Sequence, residues 1–284
     1  MKTPRFATLL AATLIAAAPA FAQRAAPVAM ITDLAGAVKV SGAAGTLPAS
    51  LAAEIPADAK IDVPAGGKLV VLVLATGDEF TLSGPVTAQA KADGLSGSPT
   101  DRLVRKASSV GKVKLKPDRL VQAAVTLRAS RRPEALPLLS ASGTTVLDAK
   151  PVFRWKAIEG ATAYRFELLD GGGKVLHEAR VEATELRLPD TVRLEDGRTY
   201  SWEVSTRQAN GAAFASFGDF TVATGALREQ AARLKPAAGA PMSDRVAYAA
   251  WLGSQELNDE ARAAWQQLSR ERPDDPQLKA LAGK

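Results

Sequence analysis

The chain has 284 residues, 46% hydrophobic and 23% charged, with a formal charge of +6, an ordinary balance for a globular protein. It contains no cysteine and one histidine. That excludes disulfides, thiolate nucleophiles, cysteine or multi-histidine metal sites and most histidine-based triads.

The first 22 residues read as an address. Lys2 and Arg5 give a positive start, Phe6 to Ala20 is apolar, and Ala20-Phe21-Ala22 is a small-x-small cleavage site before Gln23. This is the pattern of a cleavable secretory signal peptide, with an apolar run too short to span a bilayer comfortably. No cysteine follows it for lipid attachment. The mature chain is therefore expected to be periplasmic or secreted, with no transmembrane anchor. Removing the signal leaves about 262 residues, room for two domains and an appendage.

Residues 23–29 read as an unstructured leader, and the first β unit is assigned to 23–95. Val38 and Val40 alternate with Ala37 and Lys39, and Ser41 to Gly45 is a small-residue turn. Lys60 to Val63 is a short strand ended by Pro64, and Lys68 to Leu74 is almost wholly aliphatic, as in a strand buried on both faces. Phe80 and Leu82 alternate with Glu79, Thr81 and Ser83, and Gly84-Pro85 separates that strand from Val86 to Ala90. Short strands punctuated this way predict a small all-β domain. Asp33-Leu34-Ala35-Gly36-Ala37-Val38-Lys39-Val40, Gly67 to Leu72 and Gly77 to Leu82 together resemble the FecR-type periplasmic β domain. The chain lacks that family's glycine-aspartate turn near Ala57 to Lys60 and the transmembrane and cytoplasmic parts of FecR regulators. Direct sigma-factor signalling is not carried over.

Residues 96–140 form a basic connector in which strands can form. From Arg102 to Arg132 ten basic residues face Asp118 alone, a charge of +9, so the rest of the mature chain is acidic. A solvated connector is the plain reading of such a run. The functional one is salt-sensitive attraction of a cell-wall or lipid polyanion, with Arg102, Arg105, Lys106, Lys112, Lys114, Lys116 and Arg119 as contacts. No nucleic-acid partner is expected of an exported chain.

Residues 141–224 carry a second β pattern. Phe153, Trp155 and Ala157 alternate with charged residues, as do Tyr164, Phe166 and Leu168. Asp170-Gly171-Gly172-Gly173 is a hairpin turn before a strand at Val175 to Val181. Leu186 and Leu188 mark another strand; Tyr200, Trp202 and Val204 alternate with polar residues, and Phe217 to Val222 closes the set. Such spacing predicts a two-sheet sandwich. Leu194 to Val204, with Phe153-Arg154-Trp155 and Ala163-Tyr164, resembles the fibronectin type III pattern, which implies a fold and no particular activity.

Residues 225–284 turn helical. Leu227, Ala231 and Leu234 recur at helical spacing; Ser243 is placed to cap a helix over 244–254 and Asn258 one over 259–270. Tyr248, Ala249, Leu252, Ala261, Trp265, Leu268 and Pro273 resemble one tetratricopeptide repeat, with Glu256 where the repeat has glycine. One repeat cannot bury its own apolar face, so it must pack on the sandwich, on flanking helices or on another chain.

No catalytic, cofactor or metal site emerges. Thr76-Gly77-Asp78-Glu79-Phe80 nearly spells the diguanylate cyclase signature, but the first glycine and the surrounding α/β domain are missing, so it reads as a hairpin. His177 reads as a rim histidine, and Asp58, Asp62, Asp78 and Asp93 as turn residues. The four tryptophans read as core. The whole is a mainly β chain: a small N-terminal β domain, a fibronectin- or immunoglobulin-like sandwich and a C-terminal helical hairpin. It is expected to be a non-enzymatic adaptor for another envelope protein, met through Tyr248, Leu252 and Trp265 or an exposed sandwich edge. The alternative is the basic segment binding polyanion.

Overall fold

The structure, a computed structural model, describes residues 27–42, 45–107 and 134–283. The signal peptide and most of the basic segment, including Lys112, Lys114, Lys116 and Arg119, lie outside the described residues.

The first unit holds ten strands: β1 Pro27–Ala35, β2 Lys39–Gly42, β3 Gly45–Pro48, β4 Glu54–Pro56, β5 Lys60–Val63, β6 Lys68–Val73, β7 Asp78–Ser83, β8 Val86–Lys91, β9 Gly94–Ser98 and β10 Leu103–Ala107. They make two antiparallel sheets, ordered β10-β7-β6-β1-β4 and β3-β2-β5-β8-β9. Between them lies an aliphatic core of Ile31, Ile55, Ile61, Leu69, Val71, Val73 and Leu82, with Phe80 at its margin. The leader expected at 23–29 is corrected in part: β1 begins at Pro27, because Ala29 is fully buried and pairs with both Ile55 and Val73. Strand β10 extends this unit into the basic segment by pairing with β7. Gly84 closes the β7–β8 turn; its N–H donates to Gly67 O at 2.9 Å, and a Cβ there would fall 1.8 Å from Pro64 O.

The second unit is a sandwich of β11 Glu134–Ala135, β12 Thr144–Val146, β13 Val152–Arg154, β14 Tyr164–Asp170, β15 Val175–Val181, β16 Glu185–Arg187, β17 Thr199–Arg207 and β18 Ala213–Val222. One sheet runs β11-β18-β17-β14-β15, with β12 alongside β18; β13 and β16 form the facing pair. Alternation along β14 and β17 puts Tyr164, Phe166, Leu168, Tyr200, Trp202 and Val204 inside. There Phe153 meets Phe166 at 4.9 Å and Trp202 at 5.1 Å between ring centroids. The Tyr200 hydroxyl accepts the Glu195 N–H at 2.8 Å, fixing the corner before β17 as in immunoglobulin-like sandwiches.

Four helices follow: α1 Gly225–Leu234, α2 Met242–Ser254, α3 Asn258–Glu271 and α4 Pro276–Ala282. Thr224 caps α1. Asp275 caps α4, with Pro276 at its first position. The two predicted caps have other work. Ser243 lies inside α2 and reaches the β domain, and Asn258 makes no side-chain cap; its Nδ2 donates to Gly143 O at 2.7 Å. All four tryptophans are buried, two in the sandwich and two among the helices.

Candidate interaction surfaces

The helices do not stand apart. Their core joins Ala231 and Leu234 of α1, Val246, Trp251 and Leu252 of α2, Ala261, Trp265 and Leu268 of α3 and Leu278 of α4 to Met30, Leu51 and Leu72 of the β domain. Strand β6 explains the join. Leu69, Val71 and Val73 face the second sheet, while Leu72 faces the helices. The unbroken aliphatic run is thus buried on both sides, as its composition predicts.

At the outer end of the same cross-strand row Leu72 pairs with Glu79, and Glu79 with Lys106. Burial pushes the Glu79 carboxyl up, and a hydrogen bond from Ser243 at the start of α2 partly offsets this. Across the seam, Arg272 donates to Asp33 Oδ1 at 2.7 Å. Charged groups at such a seam favour one seating over others, because a displaced carboxylate would lose its partner while still poor in water.

The seam with the sandwich is built differently. Glu256, at φ 64°, turns its carbonyl to accept the Thr145 N–H at 2.7 Å and the Thr144 hydroxyl at 3.1 Å. The Asn258 N–H donates to Thr144 Oγ1 at 2.9 Å, and the Ala141 N–H to Asp259 Oδ2 at 2.7 Å. Ala141 O in turn accepts Trp202 Nε1 at 2.6 Å. One residue therefore ties the sandwich core to the first turn of α3. Glu260 adds a half-buried carboxyl, pushed up by burial and bonded by backbone N–H groups of Glu260 and Leu147. Arg228 of α1 pairs with Asp196 and donates to Ala223 O at 2.6 Å.

The residues expected to meet a partner fall inside this arrangement. Leu252 and Trp265 are 2% and 7% exposed. Tyr248 stacks on Trp251, lies half-buried, and donates to Ala231 O at 3.2 Å. The apolar face of the helical pair is covered by α1, α4 and the β domain of the same chain.

Of the basic residues described, Arg102 donates to Gly84 O at 2.7 Å and Arg105 to Asp78 Oδ2 at 2.6 Å. That hydrogen bond, with one involving Thr76, holds the Asp78 carboxyl below its ordinary value. Lys106 is exposed on β10. His177 sits on β15 beside Phe166, 6.4 Å between ring centroids. Among the described residues no group of three or more His, Cys, Asp or Glu is placed to hold a metal ion, and no helix is long and apolar enough to cross a membrane.

Sequence reading missed the outer face of the large sandwich sheet. Its registers place Glu178, Glu167, Glu203 and Phe217 in one row across β15, β14, β17 and β18. Phe217 is 58% exposed. The signal was present: in Phe217-Gly218-Asp219-Phe220-Thr221-Val222 the alternation that buries Phe220 and Val222 turns Phe217 outward.

Fold and surfaces define a mainly β protein whose two β units are held together by C-terminal helices. The sequence matches no family model and no curated protein. Among solved structures it is similar to CopC from Methylosinus trichosporium OB3b, 20% identical over 32% of this chain and 95% of that one, TM-score 0.25. It is also similar to PorZ, described as an essential bacterial surface component of the type-IX secretion system of Porphyromonas gingivalis, 11% identical over 54% of this chain and 21% of that one, TM-score 0.20.

Proposed function

We propose that this chain is a non-enzymatic interaction module of the bacterial cell envelope, an adaptor or partner of an envelope sensor or signalling protein. The signal-peptide pattern of residues 1–22, the FecR-type pattern of the first β unit and the fibronectin-like pattern of the second support that reading. The observation that carries it is the use of the helical apolar face inside the molecule. Among the described residues, the outward sheet surfaces include the face bearing Phe217 and the edge strand β15. Unpaired edges and open faces are the surfaces with which such folds meet partners.

In-cell crosslinking of the tagged chain, washed at low and high salt, tests this. One dominant envelope protein retained at high salt and lost on Phe217→Ser supports the adaptor role. Diffuse capture of wall or lipid polyanion, lost at high salt, overturns it and transfers the function to the basic segment around Arg102 to Arg132, whose charge of +9 is the observation favouring that second role.

A further inference from the structure

Strand β15 is the last strand of the large sandwich sheet; among the described residues it pairs with β14 on one side and with no other strand. It is seven residues long, and neither proline nor glycine interrupts Val175-Leu176-His177-Glu178-Ala179-Arg180-Val181. Proline and short length, two usual defences of an edge, are missing, and the register shift at Leu176 lies at one end of the strand, so over His177 to Val181 the charges decide what can pair with it.

Those charges follow from the β14 register. Tyr164, Phe166 and Leu168 point into the core, so their partners Val181, Ala179 and His177 lie on the inner side of the sheet. Glu178 and Arg180, opposite Glu167 and Arg165, lie on the outer side. Within the chain Arg165 bridges both Glu167 and Glu178. Arg180 faces the like charge of Arg165 and makes no ion pair among the described residues. The edge thus presents a carboxylate and, two residues on, a guanidinium lacking an acidic partner.

We infer that β15 pairs antiparallel with β15 of a second copy of this chain, about a two-fold axis at Ala179. In that register Glu178 of each copy stands opposite Arg180 of the other, twice, on the outer face. His177 stands opposite Val181, and Ala179 opposite Ala179, on the inner face. Shifting the axis to Glu178 sets two carboxylates against each other, which disfavours that alignment. The chosen register is self-complementary, as an isologous contact requires, and joins two sandwich sheets into one continuous sheet. The other described sheet ends offer less: β3 and β9 carry no such alternation of opposite charge, β10 carries only basic charges, and β4, β11, β13 and β16 are two or three residues long, so that Glu185 and Arg187 of β16 have too short a strand to pair along. This pairing does not depend on the envelope role proposed above.

Sedimentation velocity of the mature chain over a concentration series tests it. The wild type should form a dimer. Glu178→Arg and Arg180→Glu should each raise the dissociation constant about tenfold or more, since each turns two attractive cross-strand pairs into repulsive ones. The double swap should restore the dimer; it also pairs opposite charges with Glu167 and Arg165 inside the chain. Because the protein has no cysteine, Ala179→Cys adds a single thiol per copy. Mild oxidation should then give a covalent dimer, whereas Val175→Cys, far from the axis, should form no covalent link. A wild type that is monomeric throughout, single swaps that dimerise as tightly as wild type, or crosslinking of both thiols alike would overturn the proposal.

Discussion

The helical unit meets its two neighbours by different physics. Against the β domain it buries side chains: Met30, Leu51 and Leu72 enter the same core as Trp251 and Leu252, with Ser243–Glu79 and Arg272–Asp33 at the margins. Against the sandwich it is held largely by hydrogen bonds, one between the backbones of Thr145 and Glu256 and the others between a backbone group and the side chain of Thr144, Asn258 or Asp259. Apolar burial is large and non-directional, whereas hydrogen bonds contribute less net energy and specify geometry. The helices and sandwich are therefore set in register as one piece, and the β domain is clamped onto that piece mainly by burial.

This contrast can be broken at either seam. The largest effect is expected from Trp251→Ala, which empties the centre of the apolar seam and should cost about 3–5 kcal/mol. Chemical denaturation should then show the β domain unfolding apart from the sandwich, where the wild type is expected to unfold in one transition. Asp259→Ala comes next. It strands the Ala141 N–H and should cost about 1–3 kcal/mol, lowering the sandwich and helices together. Burial at Glu79 gives a pH signature. Its carboxyl keeps its proton to a higher pH in the folded chain than in the unfolded one, where 4.5 is the ordinary value. Below that value both states are protonated; as pH rises through the window above it, the unfolded state releases its proton first and stability declines. Glu79→Gln should flatten the decline, as followed by melting temperature against pH. The smallest effect belongs to Arg272→Ala. That pair is partly exposed, at 35% and 17% for the two side chains, and its loss should cost no more than about 1 kcal/mol.

Most strands that bury alternating side chains were legible in the sequence, because burial on one face writes a period of two. β15 is found at the predicted residues, and Lys68 to Val73 shows its double burial directly. Strands whose side chains do little packing were not legible. β3 is exposed along its length, β4 is three residues ending in proline, and β10 hides in a basic run. The fourth helix had its signal in Asp275-Pro276, a cap followed by a proline suited to the first turn. The helical pattern announced that an apolar face needed a cover. It carried no information on which surface supplied it, since Met30, Leu51 and Leu72 sit about 200 residues earlier. The seam at Ala141 and Glu256 was equally hidden: at least one partner of each bond is a backbone group, which every residue type but proline carries alike, so Thr144 and Asp259 gave no sign of what they would meet.

The central claim is that the helices hold the two β units together without help from the intervening chain. A protease site inserted after Val121 and cut in the folded protein tests this directly. The account predicts that the two fragments, ending and resuming within 108–133, co-migrate on gel filtration in the absence of denaturant, and that Trp251→Ala separates them. Wild-type fragments that part on cutting alone would contradict it.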